Sequence, residues 1–266
     1  MGKAVCAMIL AIDVGNSNLS VGLYTLEGAL RFCSTVRTEK GSTRDQYAMN
    51  LLNIFRLYQE DIGVVSGSIL SSVVPPMIKE LVRAVKFLTG KPPLVVSSGI
   101  KTGINIIAET HGQLGSDIVA SSVAALNKYP SPLIIIDMGT ATSMSVLRNN
   151  TYEGCVIMPG IKVAVEALSQ RAAELPHISL EPPTSVLGRN TIDAMGVGAV
   201  YGHAAMLDGM IARLEEATEP AETVVMTGAN GETVLKCCKR EIIYDANLVM
   251  DGLYLLYVKN TRRARG

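Results

Sequence analysis

Two stretches of this sequence carry the same residues for handling phosphate. One is Asp13-Val14-Gly15-Asn16-Ser17-Asn18, and the other is Asp137-Met138-Gly139-Thr140-Ala141-Thr142. In each, a β-rich apolar run ends on an Asp, followed by one apolar residue, a Gly and short hydroxyl or amide side chains. A turn that grips a phosphate needs backbone N–H groups pointing inward, which Gly permits, and side chains too short to fill the phosphate's place. A carboxylate beside a polyphosphate repels it unless a cation stands between them. Asp13 and Asp137 therefore read as holders of a cation or its water. Either stretch alone is also an ordinary hairpin turn, since Asp, Gly and Asn are turn formers. Two copies in matching contexts predict two facing half-sites for a nucleotide phosphate. A third element, Val224–Gly231, runs a strand into a turn at Gly228 that suits the floor of an adenine site.

The elements that must position these turns are legible from periodicity. Strands are expected at 8–12, 19–24 and 30–36, a meander with short Gly-containing turns. A helix over 43–60 follows, with Thr43 and Gln46 as a capping box. Residues 64–74 read as a buried strand stopped by Pro75-Pro76, where a second helix begins. A short strand at 94–96 and a helix over 116–128 complete the first half. The pattern then restarts, with strands at 133–136, 143–147 and 155–158. Helices over 161–175 and 191–217, a strand at 224–226 and a closing helix over 247–258 follow. This order predicts an α/β fold of two duplicated lobes with mixed sheets flanked by helices, divided as 1–125 and 126–266.

Composition narrows the partners. The 266 residues carry 24 Lys+Arg against 24 Asp+Glu, so no global field recruits nucleic acid or a membrane surface. The basic stretch 259–266 reads as a solvated tail. Five Cys (Cys6, Cys33, Cys155, Cys237, Cys238) form no C-x-x-C pair and only three His are present. A metal cage or a disulfide framework is not expected, and a reduced cytoplasmic setting is. The apolar stretch 4–12 is too short to span a bilayer and runs straight into Asp13.

Taken together, these segments resemble the acetate-kinase and actin type of phosphotransferase, with RNase H-like lobes, and within it the type III pantothenate kinases. The resemblance covers essentially the whole chain. D-V-G-N-S-N and D-M-G-T-A-T-S match the two phosphate motifs. S-S-V-V-P-P (71–76), K-T-G-I-N-I (101–106), M-P-G-I (158–161), A-L-S-Q-R-A-A-E-L-P (167–176) and L-G-R-N-T (187–191) follow in order. The resemblance implies ATP-dependent phosphorylation of pantothenate, opening coenzyme A synthesis, with Mg²⁺ and a monovalent cation (K⁺ or NH₄⁺) held by Asp137. It implies that Asp117, in L-G-S-D-I, accepts the proton of the attacking hydroxyl, with Gly115 and Ser116 beside it at the substrate. The first turn of a helix favours an ionised carboxylate, which predicts a low-pKa group that mainly orients the hydroxyl; the same place also suits a plain helix cap. Thr140 would touch ATP. Thr191 would reach pantothenate from the neighbouring subunit of a homodimer, and Gly196, Gly198, Gly202 and Gly209 would either line that interface or pack within one lobe. Met8 opens the strand on which the family's chains begin, so 1–7 reads as an extension or an upstream start.

Three departures stand out. The family's G-x-D-R becomes Gly115-Ser116-Asp117-Ile118, so the Arg that would pair with the pantothenate carboxylate is absent. Ala108 replaces an expected aromatic, and the glycine pair of the adenosine turn is Gly228-Ala229. His111 and Lys101 are the cations that would substitute for the missing Arg. The departures leave two other readings open: a kinase for another small hydroxylated substrate, or a weakly catalytic nucleotide- or pantothenate-binding regulator.

Overall fold

The run Met8-Ile9-Leu10-Ala11-Ile12 is apolar without alternation, the pattern of a strand covered on both faces. In the computed structural model, which describes residues 7–107 and 114–261, it forms β1 (Met8–Val14), and Asp13 is the one residue of that strand not buried. A meander of β2 (Asn18–Thr25) and β3 (Leu30–Arg37) leads into α1 (Arg44–Leu57), β4 (Val65–Ser72), α2 (Pro75–Thr89) and β5 (Leu94–Val95). The sheet order is β3-β2-β1-β4-β5, with β1 antiparallel to β2 and parallel to β4. The expected capping box forms: the Gln46 N–H donates to Thr43 Oγ1, and the Thr43 N–H donates to Gln46 Oε1 at 2.8 Å. Pro75 starts α2, where its missing N–H needs no partner.

The second sheet repeats the first. After β6 (Asn105–Ile106) and α3 (Ser116–Lys128) come β7 (Leu133–Met138), β8 (Ala141–Arg148), β9 (Thr151–Pro159), α4 (Ile161–Arg171), α5 (Thr191–Ala217), β10 (Thr223–Thr227), α6 (Gly231–Leu235), β11 (Ile243–Tyr244) and α7 (Leu248–Thr261). Its order is β11-β10-β7-β8-β9-β6, so apart from β6 the two sheets have the same plan. The predicted mixed-sheet α/β duplication is the observed one.

The chain divides into two compact units, one of residues 1–103, 110–124 and 247–266, the other of 104–109 and 125–246. In the first, Leu10, Ile12 and Val14 pack with Leu51 and Phe55 of α1 and with Met77 and Leu81 of α2. The other face of β1 and β4 is covered by α7. Tyr24, stacked on Tyr254 with centroids 5.1 Å apart, donates from its hydroxyl to Asp251 at 2.7 Å. In the second unit, Ile134, Ile136 and Met144 pack against Ile161, Val165, Val200 and Leu207 of α4 and α5.

One helix is shorter than its periodicity predicts. Residues 161–175 read as continuous, yet α4 ends at Arg171 and Leu168 is exposed. The backbone is already extended at the Ala172 cap, Pro176 disfavours helical backbone at Leu175, and Ser169 Oγ donates to the Pro176 carbonyl at 2.7 Å, turning the chain back. The short β6, β11 and α6 carry no periodic signal of their own. Residues 1–6, 108–113 and 262–266 lie outside the described residues. The start-site reading, Cys6, Ala108, His111 and the end of the basic tail fall largely or wholly there.

Candidate active site

Each central strand ends with an Asp set between two hydroxyl residues. Asp13 stands opposite Ser20 of β2 and Ser71 of β4, and Asp137 stands opposite Ser143 of β8 and Thr227 of β10. The first phosphate turn is tied down by its own backbone. The Gly15 N–H donates to the Asn18 carbonyl at 2.9 Å, Thr38 Oγ1 donates to the Gly15 carbonyl at 2.7 Å, and the Thr38 N–H donates to Ser17 O at 2.9 Å. Asn16, Ser17 and Asn18 are exposed on this fixed turn. Val14 is wholly buried in the first core, which leaves its backbone as the part able to meet a ligand.

Asp117 lies in the same unit. The Val119 N–H donates to the Gly115 carbonyl at 3.1 Å, so Gly115 takes the capping place and Asp117 sits in the first turn of α3. A side chain at 115 would run into Asp117 Oδ1, so the glycine makes room for the carboxylate. That oxygen accepts the Ile118 N–H at 2.8 Å. The first-turn position alone predicts a carboxyl held low, but here burial raises it above the ordinary carboxylate range and outweighs the downward pull of the backbone N–H groups. The low-pKa expectation is therefore corrected: desolvation exceeds the helix-end effect. Ser116 is fixed from below, accepting from Ser71 Oγ at 2.8 Å and from the Ser72 N–H at 3.1 Å. Ile118 is half-buried beside Asp117. Lys101 is exposed, its backbone held by Asn260 through two bonds of 3.0 Å.

The second unit builds the other turn by close backbone approach. The Gly160 N–H donates to the Thr140 carbonyl at 3.1 Å, and a Cβ at 160 would strike the Gly139 and Thr140 carbonyl oxygens. Gly228 has φ +94°, and a Cβ there would stand 2.7 Å from the Met138 backbone N and C and 2.8 Å from Asp137 Oδ1. Gly228→Ala combines backbone strain with that clash. It is expected to cost about 3 kcal/mol, lowering the calorimetric midpoint by roughly 6 °C or more; an unchanged midpoint would show that the turn relaxes freely. Tyr244 donates to the Gly228 carbonyl at 3.1 Å, and Asn230 Nδ2 to the Met138 carbonyl at 3.4 Å. Beside this turn opens a cavity of about 480 Å³ lined by Lys162, Val165, Glu166, Leu180, Ala229 and Thr233, among others. Its size suits a small ligand.

No cluster of three or more His, Cys, Asp or Glu able to hold a metal occurs among the described residues. One carboxylate per turn fits a hard cation that keeps its waters and takes phosphate oxygens, not an all-protein cage. Thr191 is exposed at the first position of α5, whose Asn190 cap accepts the Asp193 N–H at 2.9 Å. Of the four α5 glycines, Gly196, Gly198 and Gly202 have open space where a side chain would stand, and one at Gly209 would meet Arg213 of its own helix. Close packing inside the unit therefore does not explain them. Sequence reasoning placed Ser71 and Ser72 only as part of a linking motif, and it missed Lys162 and Glu166. The former sit at the end of a strand read from pattern alone, and the latter look like any solvated helix charges.

Solved structures with this plan include component A of the (R)-2-hydroxyglutaryl-CoA dehydratase of Acidaminococcus fermentans. It has a TM-score of 0.56 at 13% identity and covers 94% of this chain and 97% of that one. A ROK family glucokinase of Streptomyces griseus, in complex with glucose and AMPPNP, has a TM-score of 0.52 at 12% identity over 94% and 98%. The fold is thus that of the actin-like ATPases and their kinase relatives. The family model for the type III pantothenate kinases matches residues 9–213. A type III pantothenate kinase of Exiguobacterium sp. is 38% identical over 256 residues, 96% of this chain and 100% of that protein. One of Bacillus cytotoxicus is 38% identical over 254 residues, 95% and 97%. The chain belongs to the type III pantothenate kinase family.

Proposed function

We propose that this protein transfers the γ-phosphoryl group of ATP to the hydroxyl of pantothenate, giving 4'-phosphopantothenate and opening coenzyme A synthesis. The observation that carries the reading is the Asp117 carboxylate. It is partly buried in the first turn of α3, on a helix start that Ser116 anchors to β4 next to Asp13. Asp117 accepts the hydroxyl proton as the oxygen attacks. A carboxyl raised by burial is a better proton acceptor than an ordinary aspartate once it is ionised. Gly115 and Ser116 line the same place for the acceptor.

Asp13 and the turn Val14–Asn18 are assigned to ATP, Val14 through its backbone, together with Gly139, Thr140 and Gly228. The cavity along α4 suits the nucleoside, with Ala229 in its lining and Gly228 in the turn next to it. Asp13 is assigned to Mg²⁺ or its water and Asp137 to the monovalent cation. When bound, such cations neutralise charge on the phosphate oxygens. The surrounding residues order the two turns and keep bulky side chains out of them.

The test is ADP release with ATP, Mg²⁺, K⁺ and pantothenate. Absence of pantothenate-dependent turnover at millimolar substrate would sink the reading, and turnover on other small alcohols only would favour a kinase of different substrate.

A homodimer with Thr191 at the partner's substrate site is part of the proposal. It is supported by the exposed small stripe Ala194, Gly198, Gly202 and Ala205 on α5. Sedimentation is expected to give twice the chain mass, and Gly202→Arg to shift it to the monomer. A monomer at every concentration would refute this part. The free Cys33, Cys155, Cys237 and Cys238, and the absence of a membrane-length apolar helix among the described residues, support placing it in the cytoplasm.

A further inference from the structure

Ser71 is wholly buried at the end of β4, yet its hydroxyl is spent on one contact, donation to Ser116 Oγ at 2.8 Å. The Ser72 N–H donates to the same oxygen at 3.1 Å. A serine oxygen offers two acceptor positions and one O–H. With both acceptor positions filled, Ser116 is left able only to donate. Ser71 also stands directly opposite Asp13 in the β1–β4 register. A continuous run of neighbours therefore links the first phosphate turn to α3: Asp13, Ser71, Ser116, Asp117.

We propose that Ser71 is a positioning residue, which fixes Ser116 as a hydrogen-bond donor toward an oxygen of the acceptor substrate and sets the first turn of α3, with Asp117, in register with the first phosphate turn. The inference rests on the assignment of Asp117 to the acceptor site. Phosphoryl transfer through a loose transition state depends on alignment more than on basicity, so a misplaced first turn lowers turnover more than nucleotide binding. A serine retained only to fill space would behave differently. Ser71→Ala would then remove one oxygen from a tight site and leave Asp117 where it is.

The test combines kinetics with hydrogen exchange. Ser71→Ala is expected to lower kcat about tenfold while the KM for ATP stays within about twofold. Ser116→Ala is expected to do the same, and the double variant to be no slower than the worse single one, because both remove one link. In Ser71→Ala the amides of residues 115–119 should exchange faster while the rest of the chain keeps its protection. Unchanged kcat with unchanged exchange overturns the proposal, and so do fully additive losses. If the unmodified protein fails to phosphorylate pantothenate, the assigned reaction falls, and the exchange of residues 115–119 still decides whether Ser71 holds the helix start.

Discussion

Asp117→Asn is expected to lower kcat by about a thousandfold, within the range that a positioned proton acceptor contributes, and to leave the KM for ATP nearly unchanged. The same substitution is expected to stabilise the fold at neutral pH. Burial raises the folded-state pKa of Asp117 above its unfolded value, so the native state binds more protons than the unfolded chain between those two values. Unfolding free energy from this group is greatest below the unfolded pKa and is lost as pH rises through the folded one. Asn never ionises and escapes that loss, while its Oδ1 can still accept the Ile118 N–H. Thermal midpoints of the two proteins should therefore converge in acid and separate toward neutrality, with the variant higher. For turnover the sign reverses, since the proposed base would work when deprotonated. The acid limb of kcat/KM should then lie above the ordinary aspartate range, and a limb within that range would remove burial as the controlling influence. Turnover unaffected by Asn would remove Asp117 from the chemistry.

The second large effect is a gain. Ile118→Arg is expected to lower the KM for pantothenate about thirtyfold or more, the worth of a charge-assisted and partly desolvated contact to its carboxylate. Ile118 is half-buried next to Asp117, so a guanidinium there would sit at the proposed acceptor site and not in bulk water. The KM for ATP should not move, because the substitution lies outside both phosphate turns. An unchanged KM for pantothenate would show that another cation already meets the carboxylate or that the acceptor lacks one. A raised KM would show that Ile118 itself packs on the acceptor.

Much of this was written in local pattern. The unbroken apolar run of β1, the capping box of α1 and the two Asp-x-Gly turns depend on neighbours in sequence, so each could be read directly. The α3 start was legible too, but its electrostatics were not. First-turn position argues for a low carboxyl, and the burial that reverses it is not displayed by that position. The tie from Ser71 to Ser116 spans 45 residues, and nothing in S-S-V-V-P-P announces which helix it holds. The cavity lining likewise joins α4 to the turn after β10, two segments with no shared periodicity. The early end of α4 shows the opposite failure, where a regular apolar spacing continued beyond the point at which Pro176 and Ser169 turn the backbone away.

The packing of α7 also fixes an order of assembly. Tyr257 occupies the space over Gly67, Met250 that over Gly22 and Tyr254 that over Gly28, and Gly252 lies against the Ala120 backbone. All four contacts involve α7, so the first unit takes one wall from a helix that follows the whole second unit in sequence. The strands β1 to β4 are therefore made before the second unit, and the helix that covers them after it. The first unit is complete only once α7 is in place.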